Sequence, residues 1–185
     1  MEIILIVAVL AVIALAVISI YNGLVRLNVQ VDNAWSDIDV QLKRRHDLIP
    51  NVVETVKGYA AHEKGTLEAV VNARARAVSV QGAGPAERGA AEGALTTALR
   101  GLFALAESYP QLRATENFAQ LQSTLAQIED AVQNARRYYN AVVRDLNTKV
   151  QQFPSNVVAG LFGFKNREFF EIPDAAQRET PQVKF

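Results

Sequence analysis

Residues 3–20 read IILIVAVLAVIALAVISI. Eighteen consecutive positions carry no charge, and all but Ser19 are Ile, Leu, Val or Ala. A run of this length and character meets the threshold for a membrane-spanning helix. Extended through Leu24 it covers ~33 Å at 1.5 Å per residue, against a hydrocarbon core of about 30 Å. A helix satisfies its own backbone groups in lipid, so the many β-branched residues do not count against it. Tyr21 and Asn22 follow the run, where an amphipathic ring favours the membrane–water interface. Only Met1 and Glu2 precede it, so the basic flank of a cleaved signal peptide is missing, although Ala14-Leu15-Ala16 weakly resembles a cleavage site. Residues 1–24 are therefore expected to be an anchor. Arg26, Lys43, Arg44 and Arg45 follow and no Lys or Arg precedes. The positive-inside rule then predicts a short external N-terminus and a cytoplasmic C-terminal bulk.

Half of the 185 residues are hydrophobic, and 19 basic side chains balance 19 acidic ones. That composition is too apolar for a disordered chain. The balance argues against a nucleic-acid binder that works through a basic field. Cysteine is absent, which excludes disulfides, thiolate metal sites and a cysteine nucleophile.

Beyond the anchor the pattern is helical. Leu27, Val31, Trp35, Ile38, Leu42, Ile49, Val53, Val56, Ala60, Leu67 and Val71 fall within an arc of about 80° at 100° per residue. The stripe keeps its phase across Pro50, which removes one backbone hydrogen bond and crowds the carbonyl of His46. One kinked helix over about 25–80 is the favoured reading. A hairpin at Pro50, with Asp47 capping a second helix, is the alternative. Ser79-Val80-Gln81-Gly82-Ala83-Gly84-Pro85 reads as a loop. It opens a helix of about 86–108 that Tyr109-Pro110 stops.

From Thr115-Glu116 a third helix begins. Phe118, Leu121, Leu125, Ile128, Val132, Ala135, Tyr139, Val142 and Leu146 are spaced three and four apart in strict alternation. This is a heptad seam for packing inside the chain, with the first helix as partner. Phe153-Pro154 ends it, Ser155-Asn156 opens a short fourth helix, and 173–185 reads as a polar tail. The expected fold is all-α: an N-terminal transmembrane helix continuing into a long antiparallel bundle over 25–172, three long helices plus a short C-terminal one.

No catalytic constellation emerges. His46 and His62 lie about 160° apart around a continuous helix, and His62-Glu63 lacks the second histidine of an HExxH site. Gly82-Ala83-Gly84 lacks the strand and Lys-Ser/Thr of a phosphate loop. Lys43-Arg44-Arg45 reads as a solvated or ion-paired face. Arg136, Arg137, Asn140, Arg144 and Asn147 could hydrogen-bond Asp37, Asp39 or Glu54. No cofactor or metal is expected, and no enzymatic activity.

Several stretches resemble the LemA family of bacterial membrane proteins: residues 21–25 (YNGLV), 33–45 (NAWSDIDVQLKRR), 48–63 (LIPNVVETVKGYAAHE), 116–118 (ENF), 136–140 (RRYYN) and 153–156 (FPSN). The resemblance implies one N-terminal span in the bacterial inner membrane, an external N-terminus and a cytoplasmic helical bundle. It supplies no catalytic residues. One branch is associated with magnetosome membrane formation, which suggests membrane organisation.

Function is therefore expected to lie in packing and assembly. Leu27, Val31, Trp35, Ile38 and Leu42 have no obvious cover if the first helix outruns its partners, so they are the expected oligomer interface of a self-assembling scaffold. Tyr21, Phe162 and Phe164 are the expected membrane-interface residues, with lipid as partner. An adaptor that presents its bundle to an unidentified protein is the alternative.

Overall fold

The structure, a computed structural model, describes residues 1–172; the polar tail expected over 173–185 lies outside the described residues. The chain is all-helical, and no strand occurs among the described residues. Its elements are α1 (Glu2–Lys57), α2 (Lys64–Ser79), α3 (Pro85–Ala106), α4 (Pro110–Arg113), α5 (Glu116–Gln151) and α6 (Ser155–Phe162). Contacts divide them into two units. One holds residues 1–38 and 137–169; the other holds 39–136 and the segment beginning at Phe170.

The first helix departs from expectation. It runs unbroken through Pro50 but stops at Lys57, and the chain turns at Gly58–Glu63 instead of continuing to about 80. The turn puts α2 beside the end of α1, where Leu67, Val70 and Ala77 become buried. A straight continuation would have left that face in water. Phase could not reveal this, because Ala60 and Leu67 fall on the same arc whether the helix continues or reverses.

Pro50 is tolerated for a specific reason. It lies on the exposed face, and the carbonyl it orphans is that of His46, four residues earlier. Arg74 Nε on α2 donates to that oxygen at 2.7 Å. The hairpin thus supplies the donor the proline lacks. Asp47 caps nothing: it sits mid-helix and pairs with Lys43 Nζ at 2.7 Å, which holds its carboxyl below the usual range.

In the unit spanning 39–136, the end of α1 packs with α2, α3 and the start of α5. The core includes Ile49, Val52, Val56, Val70, Leu95, Leu102 and Phe118. Phe170 is fully buried, and its neighbour Glu171 passes so close to α3 that a Cβ at Gly89 would run into the Glu171 carbonyl.

This core also holds charge. Arg45, expected on a solvated or paired face, is 0 % exposed. Its Nη1 donates to Glu92 Oε2 at 3.1 Å and its Nη2 to Thr96 Oγ1 at 2.7 Å. Its Nε lies 2.8 Å from Glu129 Oε1, an ion-pair contact without hydrogen-bond alignment. His46 Nε2 meets Glu92 Oε1 at 2.8 Å. Lys43 and Arg44 stay exposed. An open cavity of about 360 Å³ lies beside the network, lined by Arg45, Thr96, Arg100, Phe103 and Glu129 among others. Asp39 is taken by Arg88 of α3, not by α5. Among the described residues no group of three or more His, Asp or Glu could hold a metal ion.

Two expectations follow. Arg74→Met should destabilise the chain by about 1–3 kcal/mol, because it leaves a buried acceptor unpaired. In a Pro50→Ala background, where the alanine N–H restores the helical donor, the same change should cost measurably less. A double-mutant cycle by chemical denaturation reads the coupling, and strict additivity would refute the pairing.

Glu92→Ala should cost about 3–5 kcal/mol by stranding Arg45, and the Arg45→Met/Glu92→Met pair should cost less; thermal melting measures both. Burial raises the Glu129 carboxyl above its usual range, against the pull of Arg45. A raised carboxyl stabilises the fold below its unfolded pKa and loses that contribution as pH rises through the folded value. The stability of the wild type relative to Glu129→Gln should therefore fall as pH rises from about 4 to 7.

Candidate membrane interface

The apolar run of α1 is long and hydrophobic enough to cross a membrane, and none of that window is buried by the rest of the chain. What lies at its end is built by the other unit-forming segment, 137–169.

The last turn of α5 is closed by Ser155, a buried hydroxyl within reach of two carbonyls, Lys149 O at 2.6 Å and Gln152 O at 2.8 Å. Orphan carbonyls at a helix end need such partners. Helix α6 then turns Val158 and Ala159 inward and leaves Val157, Leu161 and Phe162 exposed, as is Phe153 just before it. Gly163 ends α6 at φ +75°, and the N–H of Phe164 bonds back to Ala159 O at 3.0 Å. That is a Schellman ending, which needs a residue free to adopt left-handed backbone.

The turn sends Phe164 back onto α1. The ring of Tyr21 lies 4.8 Å from that of Phe162 and 5.7 Å from that of Phe164. The three expected membrane-interface residues thus form one cluster, directly after the apolar run. Tilted and edge-on aromatic contacts of this spacing are favourable.

The segment after Phe164 is strapped down. Asn147 receives the Arg167 backbone N–H at 2.8 Å and donates its own amide to Arg167 O at 2.9 Å. The Arg167 guanidinium reaches Asn28 and Asp32 on α1 at 3.1 and 2.8 Å. Tyr139 OH donates to Glu168 O at 2.9 Å, and its ring stacks on Trp35 at 5.1 Å. Burial raises the Tyr139 phenol above its usual value. Asn147 therefore binds the C-terminal strap, not the acids of α1.

The expected oligomer stripe needs correction on its premise. Val31, Ile38 and Leu42 are no more than 2 % exposed in a single chain, and Leu27 and Trp35 are half-buried. The first helix is shorter than the stripe implied, and Tyr139 reaches back to Trp35, so the chain covers these residues itself. Along α5, Phe118, Leu125, Ile128, Val132, Tyr139, Val142 and Leu146 are buried, and Leu121 is half-buried. Sequence reading missed the strap, since Asn147 and Arg167 carry no periodic signal.

Comparison with known proteins places the chain in a family. The LemA family profile matches residues 34–185. The magnetosome protein MamQ 2 of Paramagnetospirillum magneticum is 25% identical over 189 residues, covering 88% of this chain and 70% of that protein. Magnetosome protein MamQ of Magnetospirillum gryphiswaldense is 24% identical with the same coverage. Protein LemA of Metamycoplasma hominis is 26% identical over 155 residues, covering 83% of this chain and 69% of that protein. With its apolar first helix, its all-helical bundle and a family match across most of its length, this chain is a member of the LemA family.

Proposed function

We propose that this protein is an anchored, non-catalytic organiser of the bacterial inner membrane, its bundle on the cytoplasmic side and seated on the bilayer through α6. The observation that carries this reading is the Tyr21–Phe162–Phe164 cluster at the end of the apolar run. Beside it, Phe153 just before α6 and Val157 and Leu161 on α6 are exposed. Large apolar side chains in water are costly, and at the headgroup boundary they are favoured. A helix lying there displaces lipid headgroups in one leaflet, which is how interfacial helices shape a membrane.

The relatives named for the magnetosome support work at a membrane. The balanced charge and the structural use of Arg45, His46 and Glu92 support a role without catalysis. The apolar surface of residues 3–20, which the chain leaves open, is the face for self-assembly in place of the covered stripe.

The test uses full-length protein in nanodiscs of brominated lipid. With Trp35→Phe as background, Phe162→Trp should be quenched by bromines near the acyl-chain tops. Tyr138→Trp, at an exposed site ~16 Å further along α5 from Lys149, should not be. Water-like emission and no quenching at position 162 would end this reading.

A further inference from the structure

One face of the anchor's end has no role in the aromatic cluster. There Leu15 and Ile18 below, Ser19 and Asn22 midway, and Arg26 and Lys149 above line an open cavity of about 510 Å³. Its floor is Gly23, where an added Cβ would stand 2.9 Å from Lys149 Nζ. The glycine thus lets the lysine ammonium lie against α1. No acidic residue lines the space, and neither Arg26 nor Lys149 has an ion-pair partner among the described residues.

We propose that this cavity binds the headgroup of an anionic phospholipid, a phosphodiester that carries net negative charge. The inference rests on residues 3–20 spanning a bilayer, and not on α6 entering it. The levels match. Residues 3–20 span ~27 Å, so when centred in a ~30 Å core they leave its boundary ~1.5 Å past Ile20. Arg26, six residues on, lies ~7.5 Å beyond that boundary, within a headgroup zone ~5–8 Å deep. Two cations therefore sit where lipid phosphates lie, with the lysine stem free to bend toward them. The Asn22 amide and Ser19 hydroxyl can donate to phosphate or glycerol oxygens. Leu15 and Ile18, both exposed, offer an acyl chain the apolar wall beneath. A zwitterionic lipid would bring its own cation toward Arg26 and Lys149, so the site selects net negative charge and not merely a phosphate. A soluble phosphate ester would leave the wall below empty, so the occupant is a lipid.

The experiment uses full-length protein in mixed micelles with equal phosphatidylglycerol and phosphatidylcholine, read by native mass spectrometry for retained lipid. The wild type should retain phosphatidylglycerol over phosphatidylcholine by about ten- to thirty-fold, from two cations near the surface. Arg26→Gln/Lys149→Gln should reduce the preference to near unity, and Arg26→Lys should keep most of it. Gly23→Leu changes no charge but fills the floor, and it should also abolish the preference. That separates a shaped site from diffuse attraction. Lys165→Gln, an exposed cation outside the cavity, should have little effect.

No preference in the wild type, full preference in Gly23→Leu, or an equal loss in Lys165→Gln would each overturn the proposal. So would displacement of the retained lipid by soluble glycerol phosphate. Quenching at Phe162→Trp, measured in the Arg26→Gln/Lys149→Gln background, keeps the two readings apart: lost lipid preference with retained quenching touches this site alone.

Discussion

A full positive charge at Arg45, sealed from water, sets the terms for the second unit of this protein. Burying an ion costs several kcal/mol unless its partners are in place. Here the partners come from different elements: Glu92 and Thr96 from α3, Glu129 from α5. A helix shifted by one turn would strand the guanidinium. The apolar seams alone tolerate such shifts, because Leu and Val stripes repeat every turn. The network therefore acts as a registry device more than as a source of stability, the best-supported role for buried polar groups. The Pro50 arrangement works the same way, since the open carbonyl of His46 accepts Arg74 only when α2 lies at one height.

These features were legible to different degrees. The heptad seam of α5 could be read because its period alone fixes which face is buried. The end of α1 could not, because a stripe in phase does not distinguish continuation from a reversal of six residues. The buried charges leave a trace in the sequence. Ile38, Leu42, Arg45, Ile49, Val52 and Val56 step by three and four, and so do Arg88, Glu92, Leu95, Leu99 and Leu102. A basic residue in a core position of one helix and an acid in a core position of another are what a buried pair looks like in sequence.

The unit of residues 1–38 and 137–169 shows the other limit of sequence reading. Tyr21, Phe162 and Phe164 each look interfacial from composition. Their meeting depends on one glycine with positive φ, one buried serine hydroxyl and an asparagine that grips a backbone. None of these is periodic, and the residues involved lie at opposite ends of the chain. Local chemistry suggested the kind of surface, and only tertiary geometry assembled it.

The partnership of Trp35 and Tyr139 also carries a consequence in time. Trp35 leaves the ribosome before the ring that covers it, which follows 104 residues later in the sequence. At 5–20 residues per second this interval is about 5–20 s. On the anchored reading proposed above, the inner face of α1 stands at the membrane throughout that interval with its cover unmade. On that reading the bilayer itself is what keeps the face from the wrong neighbour until α5 arrives.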